Sequence, residues 1–235
     1  MAPTMFPAQT QERILTKLDI EEGLVALSDA LRVRAPQLGL QLPIRAVVAG
    51  GVVAVVKFGA RTNTHDVDFA LNAGQIDLEN LIQRVADEVS EAPHPTDGVQ
   101  EHNLFKYWFN PAMSYYLNGP AYQGAYTEAL QQGEVLFRSD TLELYIAPWK
   151  FQLYRKMGRV TKALWQTKER RLTDIEDTVD LIHQFNTRRK QPLTLNELRG
   201  WYQDPSTKLD HPVAQEAARI VSERYRAKYG GNFRL

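Results

Sequence analysis

The 235-residue chain contains no cysteine. This excludes a disulfide framework, Cys-ligated zinc, an iron–sulfur cluster and a thiol nucleophile. The first residues do not read as a secretory leader, and together with the missing cysteines this points to a reducing, cytoplasmic compartment. Long hydrophobic runs are also missing. The longest, Ala46–Val56, is broken by Gly50-Gly51 and falls far short of the roughly 20 residues of a membrane span, so no membrane partner is expected. Neither a P-loop nor a Gly-x-Gly-x-x-Gly fingerprint is present. There is no nucleophile elbow of the Ser-His-Asp hydrolases, no internal repeat and no low-complexity tract. His94, His102, His183 and His211 show no metal-ligand spacing.

Net charge is absent too, but only by cancellation: 28 Lys/Arg stand against 28 Asp/Glu. Residues 1–148 hold 10 basic and 18 acidic side chains, a net of −8. Residues 149–190 hold 11 and 5, a net of +6, and residues 191–235 hold 7 and 5, a net of +2. A basic segment beside an acidic one attracts a polyanion such as a nucleotide or RNA. A solvated helical face accounts for such a run as well.

The apolar periodicity predicts the elements. Residues 1–9 read as a loose arm. Gln9–Leu18 and Glu21–Arg34 read as helices ended by Pro36 and Gly39. Ile44–Ala49 is a β-branched run that suits a buried strand, and Val52–Phe58 suits a short helix leaving Gly50-Gly51. Asp66–Leu71 alternates as a strand. Asp77 caps an amphipathic helix whose apolar face is Leu78, Leu81, Ile82, Val85, Ala86 and Val89. Residues 92–98 form a Pro-rich loop. Leu104–Phe109 and Met113–Leu117 suit a hairpin around Asn110-Pro111. Ala121–Gln132 suits a helix, and Glu134–Arg138 with Leu142–Ile146 a strand pair. After Pro148 every segment reads helical: Trp149–Gln166, Asp174–Phe185, Leu195–Gln203 and Val213–Tyr229. Thr173 with Glu176 and Thr194 with Glu197 have capping-box spacing. The expected fold is α+β: a mixed β-sheet flanked by helices over residues 1–148, with a helical C-terminal region over 149–235 that completes the cleft.

One constellation carries chemistry. On a strand, the side-chain period of two puts Asp66 and Asp68 on one face and Val67, Phe69 and Leu71 on the other. Two adjacent carboxylates repel, and a divalent cation between them removes that cost. Mg²⁺ takes one or two protein carboxylates plus substrate phosphates. Gly50-Gly51, at the end of the preceding strand, lets main-chain amides approach a phosphate, although a tight strand-to-helix turn needs glycines for its own reasons.

The order strand, Gly50-Gly51, short helix, a loop with Arg61 and Thr64, then a strand with Asp66-x-Asp68 resembles the nucleotidyltransferase signature of the DNA polymerase β superfamily. The likeness is greatest to the minimal nucleotidyltransferases that include abortive-infection toxins. A second patch resembles the same group: the strand Leu142–Ile146, Pro148, a helix carrying Lys156, and a helix opening on Asp174 and Asp177 after Arg170-Arg171. The resemblance implies a mixed sheet with helices and a reaction that moves a nucleoside monophosphate from an NTP to an acceptor hydroxyl, on the end of a tRNA, a protein or a small molecule. It implies Mg²⁺ or Mn²⁺ on Asp66 and Asp68, and nucleotide phosphates on Gly50, Gly51, Thr64 and Arg61. Lys156 and Asp174 complete the catalytic set. Arg61 lies five residues before Asp66, where the family's arginine lies four before. Many members carry a third carboxylate on a later central strand, and no acid lies on the segments expected there. Asp174, Asp177, Glu143 and Glu101 are the substitutes in reach. The same fold repurposed for another group transfer, a tRNA-dependent one included, or reduced to a binding module, is the alternative.

His65 points to the opposite face from both acids. Tyr107, Trp108, Phe109, Tyr115, Tyr116, Tyr122 and Tyr126 make an aromatic middle suited to a core or to base stacking. Tyr122 and Tyr126 fall one helical turn apart, where both would line a pocket.

Overall fold

A computed structural model describes residues 14–91, 104–167, 172–231 and 233–235. The arm over 1–9, the loop over 92–98, Glu101, His94, His102 and Arg170-Arg171 lie outside the described residues. The described residues open with β1 (Leu15–Thr16) and α1 (Lys17–Leu38); Leu15–Thr16 is extended where a helix over Gln9–Leu18 is expected, and residues 9–13 of that segment lie outside the described residues. Thr16 and Asp19 form a reciprocal capping box that fixes the start of α1, and Gly39 ends it in the left-handed conformation at φ +64°. Then come β2 (Ile44–Ala49), a π-helical turn at Val53–Lys57, β3 (Asn63–Thr64), β4 (Val67–Ala70) and α2 (Ile76–Glu91).

The middle of the chain holds β5 (Phe109–Asn110), α3 (Ser114–Leu117), a 3₁₀ turn at Pro120–Tyr122, α4 (Ala125–Gln132), β6 (Val135–Arg138) and β7 (Leu142–Ile146). The helical third is α5 (Trp149–Trp165), α6 (Leu172–Arg189), α7 (Leu195–Arg199), a 3₁₀ turn at Pro205–Thr207 and α8 (Val213–Tyr229). No described helix is long and apolar enough to cross a membrane.

The architecture is mixed α/β. Five strands form one mixed sheet in the order β5-β4-β2-β7-β6, and β1 pairs with β3 in a two-stranded ribbon. β2 runs antiparallel to β4 and parallel to β7. The expected hairpin at Asn110-Pro111 does not form. Phe109–Asn110 pairs parallel with β4 instead, and Ser114–Leu117 turns into a helix. Proline cannot donate to a ladder, so the strand stops there. Thr173 does not cap α6, which already includes Leu172, and Glu176 pairs with Arg224 and Lys228 of α8. Thr194 does cap α7, accepting from the Glu197 amide.

The two sheet faces bury different layers. Ile44, Ala46, Val48, Val67, Phe69, Leu142, Leu144 and Ile146 pack under α1 and α2 through Leu24, Leu27, Leu31, Ile82 and Val85. Val47, Ala49, Ala70 and Tyr145 face the helical third, where Leu153, Met157, Val179, Ile182, Ala217 and Val221 close a second core. Register in β4 follows from the first layer. A slip of one residue would bring Val67 and Phe69 out of the core and drive two carboxylates in. Each large apolar side chain contributes about 1.5–3 kcal/mol when buried, and an unpaired buried carboxylate costs more than that. The alternation therefore fixes where Asp68 points, and Asp66, expected as the first residue of this strand, lies just before it.

Candidate active site

Asp68 lies in the middle of the sheet edge, opposite Ala49 of β2 on one side and Asn110 of β5 on the other. Its Oδ2 lies 4.0 Å from where a Cβ on Gly50 would be. Gly50 has φ +84°, a conformation that suits glycine, and so the chain turns away from the carboxylate without a side chain in between. Gly51 is needed for a different reason. A Cβ there would meet Thr64 Oγ1 at 2.1 Å and Thr64 Cβ at 2.9 Å. The glycine pair is thus one glycine for backbone conformation and one for close packing.

Gly51→Ala is therefore expected to destabilise the chain by about 1–3 kcal/mol through overpacking. Urea unfolding of the single variant and of Gly51→Ala with Thr64→Gly checks it. The double variant removes the obstructing side chain and should regain part of the loss. A Gly51→Ala protein as stable as the parent would show that the packing around Thr64 is looser than the distances imply.

Thr64 is buried, and its hydroxyl donates to the Asp66 carbonyl at 3.3 Å. It holds the turn before β4 rather than facing outward. Arg61, despite its offset spacing, reaches the same place. Its Nη1 lies 3.5 Å from the Gly51 Cβ position and pairs with Asp177 at 3.3 Å.

Across the cleft stands α5. Lys156 is 93 % buried by side chain and contacts both Asp174, at 3.3 Å, and Asp177 in a close ion pair. Burial pulls its ammonium below the usual lysine range, and Arg159 pulls the same way, while Asp177 and Asp174 push it back up. Arg159 pairs with Asp174 at 3.3 Å. Arg155 lies over the Tyr116 ring at 3.8 Å and pairs with Asp204 at 3.1 Å. Lys156, Arg155 and Arg159 line a small pocket with Asp68, Gly50 and Tyr116, of about 120 Å³. General ligand sites run about 300–1,000 Å³, so this pocket is sized for phosphate groups rather than a whole nucleotide.

Burial raises the Asp68 carboxyl to about 6, with the Asp66 charge adding to it and Arg159, Asn110 and Lys156 opposing. Asp66 is raised as well, by burial, against an Asn110 hydrogen bond and the charges of His65 and Arg159. Both acids are thus held in a state that a cation would relieve.

The sequence-derived residues fall into three groups. Asp66, Asp68, Gly50, Lys156 and Arg61 come together at one end of β2 and β4. Gly51 and Thr64 support that place from behind. Asp174 does not line the pocket, and its ion pairs run to Lys156 and Arg159. It thus reaches the pocket through Lys156 and Arg159, both of which line it. Asp177 is likewise buried against Lys156 and Arg61. Glu143 is on the Asp68 face of the sheet but pairs with Arg45 and Arg138 and accepts from the Tyr145 hydroxyl. The four residues separating Arg45 from Ala49 put it about 13 Å away along β2.

Three residues were missed. Asn110 stands beside Asp68 on the neighbouring strand, where the resemblance implies an acid. Its only sequence signal was its place just after the aromatic run. Arg155 and Arg159 line the pocket with Lys156, and the available signal was that Arg159 lies four residues after Arg155 and three after Lys156 on α5. Tyr122 and Tyr126 diverge: the Tyr122 hydroxyl donates to Asp204 and that of Tyr126 to the Arg45 carbonyl. Of the aromatic middle, Trp108 and Phe109 are core, while Tyr107 and Tyr115 are exposed.

No family model matches the chain, and neither a curated protein nor a solved structure matches it.

Proposed function

We propose that the chain is a nucleotidyltransferase that moves a nucleoside monophosphate from a magnesium-bound NTP to an acceptor hydroxyl. One observation carries this reading. Two carboxylates with raised pKa values sit beside a glycine in the left-handed conformation, facing a helix that presents Arg155, Lys156 and Arg159. Asp68 shares one small pocket with the three cations, and the Asp66 charge acts on Asp68 from beside it; an acid pair for a cation and cations for a polyanion are what a metal–polyphosphate complex requires.

The donor set fits Mg²⁺ or Mn²⁺. Asp66 and Asp68 offer hard oxygen ligands, and among the described residues no group of three or more ligating side chains exists. The pair is therefore incomplete alone and is completed by phosphate oxygens of the substrate. The bound cation would screen phosphate charge and favour attack at phosphorus. The chain does the rest by positioning and charge. Gly50 and Gly51 leave main-chain amides open to the distal phosphates. Lys156, fixed by Asp174 and Asp177, and Arg159, fixed by Asp174, neutralise the leaving pyrophosphate. The acceptor oxygen bonds to the α-phosphorus as the α–β bridge breaks. Asn110 cannot take the acceptor's proton, so that proton passes to the Asp66–Asp68 pair or to water.

The test is transfer of α-phosphate label from each NTP, with Mg²⁺, to total tRNA and to a protein extract. Label in one fraction, absent with Asp68→Asn, is the expected result. A second reading, binding of metal–NTP without transfer, is favoured by Asn110 at the acid position. It predicts metal-dependent binding with no labelled product in any fraction.

A further inference from the structure

We infer that the chain carries a second anion site, apart from the acid pair, for a compact ligand bearing two or more phosphate charges. A cavity of about 640 Å³ lies between α7, α8 and the segment up to Leu235, and neither Asp66 nor Asp68 lines it. Four arginines do: Arg199, Arg219, Arg226 and Arg234. Among the described residues no Asp or Glu side chain is in the wall. The volume falls within the range of small-molecule sites.

The arginines are not equivalent. Arg219 is matched outside the cavity by Glu216, at 2.7 Å, and by a close pair with Glu223. Arg199 donates to the Leu209 carbonyl at 2.7 Å, and Arg226 to the Phe233 carbonyl at 3.3 Å. Those neutral acceptors fix each guanidinium's direction and leave its charge uncancelled. Arg234 is exposed. Among the described residues no ion pair engages Arg199, Arg226 or Arg234. Positive charge is therefore in excess among the side chains of this wall. Like charges gathered in one concave wall repel, and a polyanion removes that cost. Guanidinium is also the side chain whose fork matches phosphate oxygens.

The rest of the wall narrows the ligand. Thr194, Asn196, Gln215 and Ser222 offer hydroxyls and amides. Among the described residues no aromatic ring lines the cavity, so these offer no platform on which a base would stack. This favours a phosphorylated small molecule or inorganic polyphosphate over single-stranded nucleic acid. The inference does not rest on nucleotidyl transfer.

Calorimetry on the full chain without divalent metal tests it, with pyrophosphate, tripolyphosphate and a sugar bisphosphate as probes. The three probes separate an inorganic ligand from a phosphorylated metabolite. Saturable binding is expected, weakened about ten- to a hundredfold in Arg234→Gln and in Arg226→Gln. Arg226→Lys keeps the charge without the fork and should fall between. Arg234 is exposed, so its variant keeps the test open should the Arg226 variants fold poorly. Arg159→Gln, at the acid pair, should leave this binding unchanged. No binding to any probe, equal binding in Arg234→Gln, or a loss confined to Arg159→Gln would overturn the proposal. So would a 12-nucleotide RNA that binds more tightly than tripolyphosphate and loses affinity in the same arginine variants.

Discussion

Asp68→Asn is expected to raise the stability of the metal-free protein at pH 7 while abolishing metal-dependent activity. The folded chain holds the Asp68 carboxyl at about 6, against an ordinary 3.8. Between those values the folded state binds more protons than the unfolded state, so stability falls as pH rises. This group's favourable contribution is present below about pH 4 and is lost by about pH 6. About 1.4 kcal/mol per pKa unit gives about 3 kcal/mol. Discounting for the side chain's partial exposure leaves about 2 kcal/mol. In a chain of this size that raises the melting temperature by about 4–8 °C. Asparagine keeps the shape and removes the charge, so the variant should also show a flatter stability profile between pH 4 and 6. Thermal unfolding in a chelator across that range checks both. A variant less stable than the parent at pH 7 would mean that the carboxylate is a structural group and the site is misassigned.

Lys156→Met should act in the opposite direction and further. Its removal leaves Asp177, 3 % exposed by side chain, with Arg61 as its remaining ion-pair partner. Asp177 Oδ1 already has no hydrogen-bond partner among the described residues. Removing one member of a buried pair typically costs about 3–5 kcal/mol because the other charge stays buried. The melting temperature should fall by about 10 °C or more. Adding Asp177→Asn removes the stranded charge and should recover a large part of that loss. Urea unfolding of the two variants measures the coupling. If Lys156→Met were neutral, the Lys156–Asp177 contact would contribute nothing, and Lys156 would be free to serve substrate alone.

The sequence was legible where one physical rule dominates. The β-branched run of β2 matches Ile44–Ala49, because a central strand buried on both faces leaves little choice. The helix Val213–Tyr229 likewise matches its apolar period. Asp68 faces away from Val67 and Phe69 because β4 alternates, while Asp66 lies just before the strand, close enough for its charge to raise Asp68. Illegible parts depended on contacts between distant segments. Phe109–Asn110 pairs with β4, some forty residues away, and no local pattern announces a two-residue parallel strand. α1 begins at Thr16 because of its capping box, whose Thr-x-x-Asp spacing went unread beside a stronger apolar stripe. The sequence offers Lys156, Asp174 and Arg61 as separate site residues. That Lys156 pairs with Asp174 and Asp177, and Arg61 with Asp177, exists only once α5 and α6 pack together.

Calorimetry with each NTP, with and without Mg²⁺, in the parent and in Asp68→Asn, tests the central claim most directly. The carboxylate pair is incomplete without substrate phosphates, so Mg²⁺ alone should give little heat. An NTP with Mg²⁺ should bind, and the binding should vanish without the metal or with Asp68→Asn. NTP binding of equal strength with and without Mg²⁺, or retained in Asp68→Asn, would contradict the account.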